Sequence, residues 1–129
     1  MKKLSLLLII LGTVGSYAQK INQEDLYTTW YLDKYSDDAN YYFPPKKEAE
    51  DYLSFKNDGT YVSVSEGEQD HGTWIFNANG KYIELESKAG KKEKFHIHFL
   101  SGKSMVVTYD TDEYRIWEVH YVSSNTGNR

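Results

Sequence analysis

Polar and apolar residues alternate along most of the chain beyond residue 50, and turn-forming residues break the alternation at short intervals. In Leu53 to Trp74 (LSFKNDGTYVSVSEGEQDHGTW) two alternating runs flank Asn57-Asp58-Gly59, and Gly72-Thr73-Trp74 opens a third. A period of two puts alternate side chains on one face of a β-strand. Asn57-Asp58-Gly59 supplies the bend, with Gly59 taking the left-handed conformation that a three-residue hairpin loop with a bulge requires. With Lys56 paired to Thr60, Phe55 falls opposite Tyr61 and Leu53 opposite Ser63, a register that cross-strand aromatic pairing fixes. The same pattern predicts strands over 26–35, 51–56, 60–65, 71–76, 81–87, 94–100, 104–109 and 113–122. Turns are expected at 66–70, 77–80, 88–92 and 101–103, a single helical turn at 21–26, and a frayed tail over 123–129.

One connection is long. Residues 37–51 carry Asp37-Asp38, the cluster Tyr41-Tyr42-Phe43 and then Pro44-Pro45, which no strand or helix runs through. A short helix fits after Pro45. Loops of this length in a compact domain are often lids or binding loops, the alternative being a surface insertion whose aromatics pack back on the domain.

Eight short strands at hairpin spacing predict an all-β, antiparallel up-and-down meander. Eight strands suffice to close a barrel, which removes exposed edges; an open sheet or flattened sandwich is the alternative. Alternation turns Trp30, Leu32, Leu53, Phe55, Tyr61, Trp74, Phe76, Ile83, Leu85, Phe95, Ile97, Met105 and Val107 inward, with Trp117, Val119 and Tyr121 if the last strand presents that face. In the sixth strand Phe99 shares the face of Phe95 and Ile97, and His96 and His98 take the other. Whether the inward set fills the barrel or lines a pocket is left open by periodicity.

The N-terminus changes the picture of where this domain works. Met1-Lys2-Lys3, an apolar run from Leu4 to Leu11 and Ser16-Tyr17-Ala18 before Gln19 read as a cleavable signal peptide over 1–18, with an uncleaved anchor as the alternative. One domain then spans 19–129, and the expected location is periplasmic or secreted. Loss of the two lysines Lys2 and Lys3 takes the formal charge from −4 to −6, an acidic balance that argues against nucleic acid or an anionic membrane as partner. No integral membrane segment is expected after cleavage. Cysteine is absent, which excludes disulfides and a lipid anchor attached to a cysteine after the signal.

Candidate chemistry is sparse. His96 and His98 leave one strand face together, and His120 is a conceivable third metal ligand, but two solvated histidines explain the pair as well. The carboxylates of 66–70 and 110–113 lack the spacing of a helix-flanked calcium loop and fit charged hairpin ends. No nucleophile elbow, Ser/His/acid order or phosphate loop is present, so no catalytic residue, metal or cofactor is expected and the chain reads as a non-enzyme. A glycosidase-type carboxylate pair stays open, since separation in space does not show in sequence.

Leu26-Tyr27-Thr28-Thr29-Trp30, Leu53-Ser54-Phe55, Asn57-Asp58-Gly59-Thr60-Tyr61 and Gly72-Thr73-Trp74 resemble the small lipocalin-like domains exported by Bacteroidetes. Ile83-Glu84-Leu85, Phe95-His96-Ile97 and Met105-Val106-Val107 fit the remaining strands of that family. The resemblance covers nearly all of the chain after the signal. It implies a lipocalin-like barrel that binds small apolar molecules, and it carries a fold better than a function. Thr28 is a departure: lipocalins usually have Gly two residues before the first-strand Trp.

The expectation is therefore an exported barrel holding a small hydrophobic or amphipathic ligand, with residues 37–51 as its lid. Trp30, Tyr42, Phe43, Phe55, Tyr61, Trp74, Phe95 and Trp117 are the expected ligand-binding residues. The alternative is a ligand-free module, an inhibitor or envelope accessory protein, that presents the aromatic 37–51 loop to a protein partner. Twelve tyrosines and three tryptophans serve either reading.

Overall fold

A computed structural model describes residues 20–113 and 115–124; the expected signal peptide, most of the expected tail and Tyr114 lie outside them. Nine strands follow in order: β1 (Thr29–Ser36), β2 (Tyr41–Tyr42), β3 (Tyr52–Phe55), β4 (Thr60–Ser65), β5 (Glu68–Asn77), β6 (Tyr82–Ser87), β7 (Lys92–Leu100), β8 (Ser104–Tyr109) and β9 (Glu118–Val122). From β3 to β9 each strand pairs antiparallel with the next, and β1 pairs with both β3 and β9. This closes an eight-stranded meander barrel, to which β2 adds a short ninth strand beside the far end of β1. The expected fold class is observed. Below, the end where β1 begins is the base and the end where it finishes is the mouth.

Turn chemistry sets the register. Gly59 stands at φ +88°, Lys56 N–H donates to the Thr60 carbonyl (2.9 Å), and Asp58 Oδ1 accepts from the backbone N–H and hydroxyl of Thr60. Phe55 accordingly faces Tyr61 and Leu53 faces Ser63, as read from sequence. The expected turn over 66–70 shrinks to two residues. Glu66 (φ 51°) and Gly67 (φ 85°) are both left-handed, the pattern of a tight hairpin turn whose twist matches its strands, so β5 begins already at Glu68. At the other extreme β9 begins only at Glu118. Arg115 reaches back to Asp110 (3.2 Å) and Asp112 (3.5 Å), which keeps the chain before β9 in a loop instead of the ladder.

The core is the predicted inward set with few changes. Leu26 and Leu100 join it, Phe76 packs against its edge, and Trp117 is half-buried. Phe99 is a correction: it is exposed, because the register shifts between Ile97 and Phe99 and leaves His98 as an extra residue. One added residue inverts the alternation beyond it, which is why Leu100 turns inward. A second shift between Leu32 and Lys34 leaves Asp33 extra and turns Tyr35 inward, opposite Val119.

Near the base the barrel is solid. Leu26, Trp30, Phe55, Ile83, Phe95, Leu100, Met105 and Val107 each expose under 2 % of their surface. A side chain lining even a water-sized void would show accessible area, so these chains fill the space by interdigitation. Trp30 seals the base despite Thr28: its indole N–H donates to the Leu26 carbonyl (3.3 Å), which the short 3-10 turn Gln23–Leu26 holds beneath it.

The Gly-x-Trp signature has a packing cause. A Cβ on Gly72 would lie 2.0 Å from the Glu86 carbonyl oxygen and 2.8 Å from Ser87 Cα, so β5 and β6 approach as closely as they do only through glycine. Two residues on, Trp74 stacks on Phe55 (4.9 Å) and donates its indole N–H to the Lys56 carbonyl (2.9 Å), tying β5 to the β3–β4 hairpin. Gly72→Ala should lower stability by about 3 kcal/mol, the upper range for overpacking. Gly102→Ala, where an added methyl meets nothing within 4 Å, should be close to neutral. Urea unfolding of the two variants checks both.

Candidate functional site

Moving along the inner wall from base to mouth, apolar side chains give way to polar ones. Ser63 lies opposite Leu53, Asp70 opposite Ser63, Ser87 opposite Gly72 and Glu93 opposite Leu85, all on the inward face by direct pairing. Tyr35 on β1, Tyr109 on β8 and Tyr121 on β9 add three phenols to the same region. Tyr109 stacks on Phe95 (5.0 Å), and its hydroxyl is 2.7 Å from that of Tyr121. Tyr35 donates its hydroxyl proton to Glu48 Oε1, which the 3-10 turn Lys46–Glu48 brings over the barrel edge. The short helix expected after Pro45 is this turn.

The carboxylates and phenols share one partly buried neighbourhood. Burial pushes the Tyr35, Tyr109 and Tyr121 hydroxyls well above the ordinary tyrosine range, and the negative charge of Asp51 adds to all three. Tyr61 is raised by burial first and then by Asp70 and Glu93. Asp51 is itself raised, chiefly by burial and further by Glu48 and Glu66, although its Oδ1 accepts the Glu66 N–H (2.8 Å). On the inward face toward the mouth the ladder thus places the acids Asp70 and Glu93 beside these phenols, while Lys47, next to Glu48, is paired with Glu66 (3.5 Å). Such a lining offers hydrogen bonds in both directions and a negative potential.

Over the mouth, β2 forms a flap. Asp37 Oδ1 accepts the N–H groups of Ala39 and Asn40, which makes the tight turn before it, and Pro44-Pro45 ends it. Tyr42 lies opposite Tyr35 on the inward side, packs edge-on against Trp117 (5.3 Å) and donates its hydroxyl to Asp37 Oδ2 (3.0 Å). Tyr41 lies opposite Ser36 on the outer side, with the Lys34 ammonium 4.5 Å from its ring centre and the His120 ring at 5.7 Å. Around the flap Tyr41 (68 %), Phe43 (81 %) and Ile116 (74 %) expose apolar surface.

The sequence model of lipocalin-like domains matches residues 26–107. The chain belongs to the lipocalin-like domain family. A crystal structure of a DUF4847 family protein from Bacteroides vulgatus is similar in fold, with a TM-score of 0.55 and 11 % identity over 79 % of this chain and 96 % of that one. A search of curated proteins finds no match.

In this lipocalin-like barrel the eight expected ligand-binding residues separate by height. Trp30, Phe55, Tyr61, Trp74 and Phe95 are buried in the packed interior, whereas Tyr42, Phe43 and Trp117 sit at the mouth. Alternation identifies the inward face but not the distance from either end, so it groups Trp117 with the five, while Tyr42 and Phe43 are legible only as part of the aromatic loop. Tyr109 and Glu93 were legible by the same rule, two residues from Val107 and Phe95. Tyr35 was not, because the extra residue Asp33 precedes it.

The histidines do not converge. His96 faces Asp110 (3.8 Å), His98 contacts the Thr108 hydroxyl (2.6 Å), and β8 separates both from His120 on β9. Among the described residues no group of three His, Asp or Glu side chains is placed to hold a metal ion. At the base a shallow recess of about 520 Å³, lined by Tyr27, Thr29, Ser54, Lys56 and Asp58 among others, opens directly to solvent. Among the described residues no helix is long and apolar enough to cross a membrane.

The phenols give a pH signature. A tyrosine pKa raised in the native state means that folding retains the proton, so this stability is complete below about pH 10 and is lost as pH rises beyond it. Absorbance at 295 nm should show the exposed tyrosines ionising near pH 10 with these three still protonated. Tyr121→Phe should therefore leave the native titration curve unchanged and lower only the amplitude recovered on unfolding.

Proposed function

We propose that this is an exported, non-catalytic binding protein that takes a small amphipathic molecule at the mouth of its barrel. The observation that carries the reading is the change of character along the barrel axis. The base is packed solid, while the mouth combines accessible polar wall with exposed apolar surface on Tyr42, Phe43 and Ile116. The apolar part of a ligand would lie against Tyr42, Phe43 and Trp117, and its polar part would meet the phenols of Tyr35 and Tyr109, the latter backed by the Tyr121 hydroxyl (2.7 Å). Lipocalin-like folds suit such cargo, because a rigid barrel presents a concave site without reorganisation. The N-terminal apolar run, read as a signal peptide, supports a periplasmic or secreted location.

The potential at the mouth favours neutral or cationic ligands over anionic ones. A fatty-acid carboxylate would meet Glu48, Asp51, Asp70 and Glu93, with Lys47 already paired to Glu66 (3.5 Å), at a cost in desolvation and repulsion. Phe43 and Ile116 also support a second reading, since side chains exposed to that extent serve equally as a protein-contact patch.

Fluorescence titration of the mature protein with neutral, cationic and anionic lipophilic probes of matched chain length tests the first reading. Uptake should fall in that order or with the first two reversed, and Tyr42→Ala with Phe43→Ala should weaken it about tenfold, the size expected for losing buried aromatic contact. No uptake of any probe, or uptake unaffected by the double variant, overturns it. Loss of capture of a protein partner by the same variant would then favour the second reading.

A further inference from the structure

The outer side of the flap carries a group of residues that ligand binding does not use. Ser36 is on the outer face of β1 yet only 4 % exposed, with Tyr41 of the flap paired on one side and Glu118 of β9 on the other. Its Oγ is 3.2 Å from Glu118 Oε1 and 2.8 Å from His120 Nε2. A serine has one proton to give. With that proton donated to the Glu118 carboxylate, Nε2 of His120 must carry its own hydrogen and donate to Oγ, which leaves Nδ1 as the site of protonation. The Tyr41 ring lies against this imidazole, and Lys34, directly opposite His120 in the ladder, holds the same ring from its own side.

We propose that His120 is a proton-operated latch on the Tyr41–Tyr42 flap, so that protonating the imidazole loosens the flap and uncovers the mouth. The inference rests on the reading of the mouth as the ligand's entrance. β2 is suited to the role because only two residue pairs hold it to β1, Tyr35 with Tyr42 and Ser36 with Tyr41. Detaching it breaks a short ladder and leaves the eight-stranded closure whole.

The sign follows from the surroundings of His120. From β1 it meets Lys34, which opposes a second positive charge, and Asp33, which favours one; from its own strand it meets Glu118, which also favours one. The flap contributes the neutral ring of Tyr41, and β8 contributes Val106 opposite. Burial is the largest influence and Lys34 the next, so the imidazole is held below its ordinary value. Opening the flap returns water to the imidazole while Lys34, on β1, stays opposite, so the value rises toward the ordinary histidine range. Closure is therefore fully supported above the open-state value and weakens as pH falls through the lowered closed-state value.

The test uses the mature protein without ligand. Nuclear Overhauser contacts between the Tyr42 and Trp117 rings, and the exchange protection factor of the Tyr42 amide, are measured from pH 7.5 to 5, together with the titration of His120 itself. The latch predicts a several-fold loss of contact intensity and protection that tracks His120, and His120→Gln, which keeps a donor for Ser36, should abolish the pH dependence. A His120 pKa at or above the ordinary value, an unchanged flap as His120 titrates, or the same change in His120→Gln overturns it. Since no ligand enters the readout, a flap that responds while no probe binds would uphold the latch and overturn the binding reading instead.

Discussion

Every buried backbone N–H and C=O in a small β-protein must find a partner, and here the pairing of β1 with β9 decides whether the rest of the chain can comply. Without it the meander would have two edges and one face of its apolar side chains would lie open. With it, Tyr31 meets Val122, Leu32 meets Tyr121 and Tyr35 meets Val119, and the inward faces of eight strands enclose one core. β1 bridges this seam because it is shared. Its early residues pair with β3, its later ones with β9, and its last two also accept β2 on the side that β3 has vacated. The flap over the mouth exists because β3 is too short to occupy the whole edge of β1.

The barrel divides labour along its axis. Aromatic interlock at the base (Trp30 over Leu26, Trp74 on Phe55, Phe55 near Phe95) supplies rigidity by burying large apolar surfaces, each side chain contributing about 1.5–3 kcal/mol of transfer free energy. The mouth relinquishes some of that stabilisation. Asp51 is the clearest case: its carboxyl is disfavoured as an anion by burial, yet it holds the Glu66 N–H in a turn whose first residue is strained into the left-handed region. A carboxylate kept there at a cost in free energy supports both the turn and the negative potential of the opening.

Much of this was legible because turn chemistry and alternation are local. Asn57-Asp58-Gly59 dictated the β3–β4 register, and period two named nearly every core residue. The rest is either non-local or turns on a single added residue. Nothing in the composition of Leu32-Asp33-Lys34 or Ile97-His98-Phe99 announces that Asp33 or His98 is extra, so the inward turn of Tyr35, its bond to Glu48 and the exposure of Phe99 are not legible in sequence. The flap was visible only as a long aromatic loop. Its pairing with β1 depends on where β3 ends, and its contact with Trp117 spans most of the chain. Of the expected site, Trp117 at the mouth and the five residues of the packed interior share one periodic signature that only three dimensions separate, whereas Tyr42 and Phe43 belong to the aromatic loop 37–51.

The two irregularities at Asp33 and His98 have a consequence for how such a chain can change over time. Each is one residue more than its ladder requires. Were Asp33 excised, Leu32 and Tyr35 would still point inward and Lys34 and Ser36 outward; were His98 excised, Ile97 and Leu100 would keep the interior and Phe99 the surface. Elsewhere in these strands a single-residue deletion inverts every face beyond it. These two positions are thus points of slack, where a lineage can gain or lose one codon and keep its barrel.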